Sequence, residues 1–410
     1  MLELDLTELP DTDALYEADD VILQTENLLS ELFRTKRSLI SAGGCSLAIQ
    51  TMLRIASEKG RKIICARNAH RSAVNAMALL GIEPVWIYPR GQKNGFTGRI
   101  YAEDVKQAID ADSRITACYI TSPDYYGELC DIGKIAEVCH SRGVLLLVDN
   151  AHGSHLGFME NDLHPIHLGA DMTACSLHKT LPVLTGGAAL NIADEALAEN
   201  AKSAMSLFGS TSPSYMIMSS IDICTDYFLN GSGTEDYRQC ERRVSRIKQL
   251  AKEKGIAQPE GICDPLRVTL NTASAGICGT EAQEKYFGEY GIDCEFCDGK
   301  NAVMICTPFN SERDMKRLET AIKEMPSGRN EITVNTDLNN APERVMMLRD
   351  AVLSDSEVID VSDSEGRTAA DTACPCPPGV PVIMPGEMIT KEVIEIMVAS
   401  GIKKIRAVRN

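Results

Sequence analysis

Two residues thirty positions apart, Asp149 and Lys179, set the chemistry open to this chain. Asp149 follows the apolar run Val144-Leu-Leu-Leu-Val148, and Lys179 lies in Ser176-Leu-His-Lys-Thr, after a second run from Met172 to Cys175. Short runs that are apolar on both faces read as strands buried in a parallel sheet. Asp149 then stands at a strand's carboxyl end, where open α/β sheets collect their ligands. An aspartate and a lysine so placed match what pyridoxal phosphate (PLP) requires. The amine forms a Schiff base with the aldehyde, and the carboxylate keeps the pyridine nitrogen protonated so that the ring accepts electrons. Taken alone, the same pair also fits a surface lysine and a capping aspartate.

Two upstream segments add candidates. Arg37 to Ala42 reads as a strand, and Gly43-Gly-Cys-Ser46 opens a helix through Arg54. Small residues at such a turn let backbone N–H groups and the helix dipole meet a phosphate, although two glycines beside a helix also make an ordinary turn. A further strand, Lys62 to Ala66, precedes Arg67-Asn-Ala-His-Arg-Ser72, which places His70 in a loop.

Asp149-Asn-Ala-His-Gly-Ser-His-Leu-Gly-Phe158, Gly169-Ala-Asp171 and Ser176-Leu-His-Lys-Thr-Leu-Pro-Val-Leu-Thr185 together resemble the Orn/Lys/Arg decarboxylase family. These are fold-type-I PLP enzymes of the aspartate-aminotransferase superfamily. The resemblance runs from Asp5 almost to the C-terminus. It takes in Asp5 to Tyr16, Arg67 to Ser72, Thr121-Ser-Pro-Asp-Tyr-Tyr-Gly127 and Ser206-Leu-Phe-Gly-Ser-Thr-Ser-Pro-Ser-Tyr215. It implies Lys179 as the lysine that carries the cofactor, Asp149 beneath the ring nitrogen and His70 stacked on the ring. It further implies Gly44, Cys45 and Ser46 around the phosphate, with His152, Ser176 and His178 as other cofactor contacts. Ser210, Thr211 and Ser212 would reach the phosphate of a partner subunit, in a homodimer with shared active sites or a higher oligomer. The stretch Cys374-Pro-Cys-Pro-Pro-Gly-Val-Pro-Val-Ile-Met-Pro-Gly-Glu387 makes Glu387 the candidate contact for a cationic substrate side chain. A turn glutamate capping the helix at Thr390 is the alternative.

The sequence departs from the family at Cys45, where a hydroxyl is usual, at Asn150 in place of glutamate, and at Cys376 in place of tyrosine. It begins almost on the Asp5 segment, where relatives usually carry a preceding arm. These departures keep open a subunit that needs a partner to complete its pocket.

Composition narrows the remaining classes. With 410 residues, 44% of them hydrophobic, the chain can bury a large core, and its net charge of −17 opposes binding to nucleic acid or anionic membrane. No apolar stretch approaches the roughly 20 residues of a membrane span, and Met-Leu-Glu-Leu-Asp is no signal sequence. A cytoplasmic protein is expected. The 15 cysteines are scattered. The one CxxC, Cys294-Glu-Phe-Cys297, falls in a strand-like stretch whose i and i+3 positions face opposite ways, which favours buried thiols over a metal.

Strands alternating with helices through Ile192 predict a mostly parallel sheet with right-handed crossovers. Residues 1–255 then form a PLP-binding large domain of transferase-like α/β fold, and 256–410 a smaller α+β domain. In the latter, Thr280-Glu-Ala-Gln283 reads as a capping box for a helix to Tyr290, Ser311-Glu-Arg-Asp314 starts another helix, and 326–340 reads as a linker. The function implied is decarboxylation of arginine, lysine or ornithine. An aminotransferase, or a decarboxylase of a non-basic amino acid, stays open because PLP itself does not choose which bond breaks.

Overall fold

A computed structural model describes residues 5–9, 12–91, 95–326, 341–374 and 380–409. The expected linker, apart from its first residue, and Cys376 lie outside them. Seven strands form the central sheet: β1 (Arg37–Ser41), β2 (Lys62–Ala66), β3 (Glu83–Ile87), β4 (Ala117–Thr121), β5 (Leu145–Asp149), β6 (Met172–Cys175) and β7 (Ala188–Ile192). Their order is β1-β7-β6-β5-β4-β2-β3, and β7 alone is antiparallel to the other six. Every residue of β5, β6 and β7 is buried. That burial explains their continuous apolar runs: a central strand has a core on both faces and no side to give to water.

Helices α1 (Val21–Leu32), α2 (Gly44–Ala56), α3 (Arg71–Leu80), α4 (Ala102–Ala111) and α5 (Ile132–His140) precede or connect these strands. Two hydrophobic cores flank the sheet. One packs α2 and α3 through Met52, Leu53 and Met77 against Tyr119, Leu147 and Leu190; the other packs α4 and α5 through Val105 and Ile135 against Ile120, Leu146 and Val148.

Beyond residue 256 the chain builds two sheets. Strands β8 (Arg267–Asn271), β9 (Phe296–Cys297) and β10 (Asn301–Ile305) form one, in the order β8-β10-β9. Its residues share a core with the 22-residue helix Ser232–Glu253 and with Leu29 and Phe33 near the N-terminus. Strands β11 (Ser356–Asp360) and β12 (Lys404–Val408) form the other, whose separate core includes Val361, Ile383, Val393 and Ile405. Beyond residue 256 the described residues thus pack in two units, one of which shares its core with residues of the first 255.

Local expectations meet mixed outcomes here. Ser311 and Asp314 form both arms of a capping box. The helical segment before Tyr290 is capped by the Cys278 thiol instead of Thr280, and runs as one α turn, a π turn and a 3₁₀ turn. Strand alternation does not govern Cys294, because β9 holds only two residues and Cys294 precedes it. The two thiols lie close enough to interact, which together with burial pushes the Cys294 thiol up.

The second C-terminal unit is fastened to the sheet by a buried ion pair. Arg67 donates from Nη1 and Nη2 to the Glu387 carboxylate oxygens at 2.5 and 2.7 Å, with exposures of 0% and 3%. Its guanidinium lies 5.6 Å from the Trp86 ring and 5.5 Å from that of Tyr88. Glu387 also accepts the Met384 N–H at 2.8 Å. Losing one partner would strand an uncompensated charge, which costs about 3–5 kcal/mol. Glu387→Ala is therefore expected to lower the denaturation midpoint markedly in urea melts followed by circular dichroism; a midpoint equal to the wild type's would show that water replaces the carboxylate.

Candidate active site

The pairing of β5 with its neighbours creates the site. Asp149, the last residue of β5, stands in register with Thr121 of β4 and Ala174 of β6, at the carboxyl ends of all three strands. It is 2% exposed. A carboxylate so deep needs donors, and it has two: Tyr119 O–H donates to Oδ2 at 3.0 Å and Ala151 N–H to Oδ1 at 3.1 Å. Burial and the nearby Asp149 charge push the Tyr119 phenol far above its ordinary range, so it stays a donor.

Lys179 follows β6 on a single helical turn, α6 (Leu177–Thr180), and unlike Asp149 it is exposed. Its Nζ lies 3.0 Å from His152 Nε2. Two bonds fix the base of this turn: Lys179 N–H donates to the Ser176 carbonyl, and His178 N–H to that of Gly187. His178 Nδ1 also lies 3.0 Å from the Gly187 carbonyl and 3.3 Å from Ser176 Oγ, so these two residues brace the lysine turn.

The remaining predicted residues are placed as follows. His70 caps α3, accepting the Ser72 N–H on Nδ1 at 3.2 Å, and its ring is exposed. It is close enough to Asp149 and Lys179 to feel both charges. Gly44, Cys45 and Ser46 form the first turn of α2, which no side chain caps. Gly44 has φ +70°, and a Cβ there would meet nothing within 4 Å, so it opens a backbone cradle. Burial pushes the Cys45 thiol well up, with the charges of Asp149 and Cys175 next in effect. A neutral thiol there adds no negative charge to an anion site. Ser210, Thr211 and Ser212 lie on an exposed loop, with Ser212 N–H donating to Ser210 Oγ. Glu387 sits in the Arg67 pair, both oxygens engaged. That geometry makes it a partner for a buried arginine and not an available anion, a different role from either sequence reading; the helix after it is capped by Thr390 itself.

Sequence reasoning missed Tyr119, Tyr125 and Arg267. Tyr125 packs its ring 5.0 Å from that of His152. Arg267 opens β8, all of whose residues are buried, and its Nη2 lies 3.2 Å from His152 Nδ1. A charge inside Leu266-Arg-Val-Thr-Leu270 was the available signal, because arginine enters such a strand only with partners waiting.

Comparison with known proteins fits this geometry. The family model "Orn/Lys/Arg decarboxylase, major domain" matches residues 1–258, and its "C-terminal domain" matches 333–400. The chain belongs to the Orn/Lys/Arg decarboxylase family. An arginine decarboxylase of Halalkalibacterium halodurans is 31% identical over 407 residues, covering 95% of this chain and 83% of that protein. One from Bacillus subtilis is 30% identical over 414 residues, with the same coverage of 95% and 83%. Among solved structures, lysine decarboxylase A from Pseudomonas aeruginosa superposes with a TM-score of 0.82 at 16% identity, covering 99% of this chain and 74% of that one. The constitutive lysine decarboxylase of Escherichia coli gives 0.78 at 18% identity, covering 94% and 72%. At those identities the structures establish the shared fold. This decarboxylase-family fold is α/β with a mostly parallel sheet and a smaller C-terminal unit.

Buried histidines make stability depend on pH. Burial holds His164 near about 3 against an ordinary 6.5, and holds His152 well below that value too. Below pH 6.5 the unfolded chain takes up protons that the folded chain refuses. Their contribution is therefore complete above that pH and lost as pH falls toward 3, by up to about 1.4 kcal/mol per unit for each group. Asp124, raised to about 7 chiefly by burial, acts in the opposite sense. The informative quantity is thus a difference in slope. His164→Asn is expected to lose less stability than wild type between about pH 7 and pH 5 in urea titrations, and equal slopes would count against a neutral buried His164.

Proposed function

We infer that the protein is a decarboxylase of a basic amino acid that uses PLP. The observation that carries the reading is the convergence of Asp149, Lys179, His152 and His70 at the carboxyl ends of β2, β5 and β6, beside the uncapped start of α2. This donor set fits PLP group by group. An amine is available on the exposed Lys179, a buried carboxylate for a ring nitrogen at Asp149, an exposed imidazole face for stacking at His70, and for phosphate the backbone N–H groups of Cys45 and Ser46 in the small-residue turn, the Gly44 N–H being held by the Gly186 carbonyl at 2.8 Å. When bound, PLP supplies the electron sink for the pair left on Cα as carbon dioxide departs.

The chain's own residues supply the rest. Asp149, fixed by Tyr119 and Ala151, holds a proton on the group it faces. Lys179, released as an amine, can hold a proton and return it to Cα, with His152 as its hydrogen-bond partner 3.0 Å away. Ser176 and His178 keep the lysine turn in place. We read the enzyme as a homodimer in which Ser210, Thr211 and Ser212 serve the partner's site; the loop is exposed, with Leu207 at 64% before it and Ile223 at 69% after it. A cytoplasmic setting accords with free thiols throughout the described cysteines. Among the described residues, no helix is long and apolar enough to cross a membrane.

The relatives named arginine decarboxylase make arginine the first substrate to try, with lysine and ornithine beside it. The purified chain should develop a visible absorption band with PLP that Lys179→Ala lacks, and should release carbon dioxide from at least one of the three amino acids. Asp149→Ala should keep the band and lose turnover by about a hundredfold or more. Keto acid produced without carbon dioxide would replace the decarboxylase reading with an aminotransferase, and a wild-type protein without the band would sink the cofactor assignment.

A further inference from the structure

Arg267 is an expensive residue for this fold to bury. It is 2% exposed, and β8 belongs to the packing unit that shares its core with residues of the first 255, outside the seven-stranded sheet. Its guanidinium is nonetheless spent on the site's edge. Nη1 donates to the carbonyls of Asp124 at 3.0 Å and Tyr125 at 2.9 Å, and Nε stands 3.6 Å from Asp264 Oδ2. Asp264 is in turn held by His155, whose Nε2 is 2.9 Å from Oδ1, and by the Leu266 N–H at 2.9 Å. Gly127 makes way for the side chain: with φ +83°, a Cβ there would stand 3.0 to 3.4 Å from Arg267 Cδ, Cβ and Cγ. Nη2 is left to face His152 Nδ1 at 3.2 Å.

That last contact determines where the histidine keeps its proton. A guanidinium has donors and no acceptor and stays charged at any working pH. His152 Nδ1 must therefore accept, which rules out the doubly protonated imidazolium as well as the Nδ1–H tautomer. Burial, then the charges of Arg267 and Lys179, holds the ring neutral in any case. Its single proton is on Nε2, pointing at Lys179 Nζ 3.0 Å away. That N–H can donate only to the lone pair of an unprotonated amine, the form of a lysine that reacts. The Tyr125 ring packs against the imidazole at 5.0 Å.

We propose that Arg267 is a positioning residue for this enzyme: by donating to Nδ1 it locks His152 as the Nε2–H tautomer, which presents a fixed donor that orients the Lys179 amine. The proposal rests on Lys179 being the reacting lysine, but its primary test needs no cofactor.

The seven histidines allow direct inspection of the rings by long-range 1H–15N spectra of PLP-free protein labelled in the histidine ring, with His152→Gln assigning the signal. At about pH 8, His152 should carry its proton on Nε2 and none on Nδ1. A proton on Nδ1 in the wild type overturns the proposal, whatever the variants do. In Arg267→Met the Nδ1–H tautomer should become populated, and the visible band should form after PLP addition at least about tenfold more slowly. Arg267→Lys, which restores a donor, should recover much of that rate. A folded Arg267→Met protein with the wild-type tautomer and the wild-type rate would reduce Arg267 to a clamp on the Asp124 and Tyr125 carbonyls and also overturn the proposal. If that variant does not fold, the wild-type spectrum still decides. Absence of the band in wild type, with the tautomer as stated, would instead fault the cofactor reading.

Discussion

A carboxylate sealed at the end of the central strand is the constraint from which the rest of the site follows. Asp149 cannot be 2% exposed without donors, and the donors it has come from β4, through the Tyr119 hydroxyl, and from its own following turn, through the Ala151 N–H. This couples the register of β4 and β5 to the chemistry. A slip of one residue would turn the side chain to the other face of the sheet and away from its ligands. The same register aligns Asp149 with Ala174, and hence the lysine turn that follows β6 with the acid it must work beside.

Around that centre the fold recruits buried charge from outside the sheet. Arg67 precedes the His70 loop and is pinned by Glu387, 320 positions later; Arg267 enters from β8 and reaches His152. Each arginine faces a carboxylate or carbonyls, and Arg267 also contacts a residue of the site. Buried ion pairs contribute little net stability compared with apolar packing. Their directional bonds, however, leave side chains one orientation, which a reacting centre needs more than it needs stability.

Much was legible in the order of residues. Continuous apolar runs ending in Asp149 and preceding Lys179 marked buried parallel strands, because a strand with a core on both faces has no polar alternation. Small residues at Gly43 to Ser46 marked an uncapped helix start, and Ser311 with Asp314 marked a capping box. Motif resemblance identified the family. These are local properties, written in a few consecutive residues. Where the local signal misled, a nearby alternative won: Cys278 displaced Thr280 as a cap, and a strand too short to impose alternation left Cys294 beside Cys297.

The tertiary structure alone decided which distant groups meet. Glu387 read equally well as a substrate contact or a turn glutamate, and nothing in its neighbourhood named Arg67 as its partner. Arg267 was a single charge in an apolar run, without a sign of the histidine it faces 115 positions earlier. The sequence determined the strand ends, the helix start and the chemical types available at them, because periodicity and capping act over a few residues. Packing decided tautomer, ion pairing and orientation, because those depend on atoms brought together only when separate sheets close on one another.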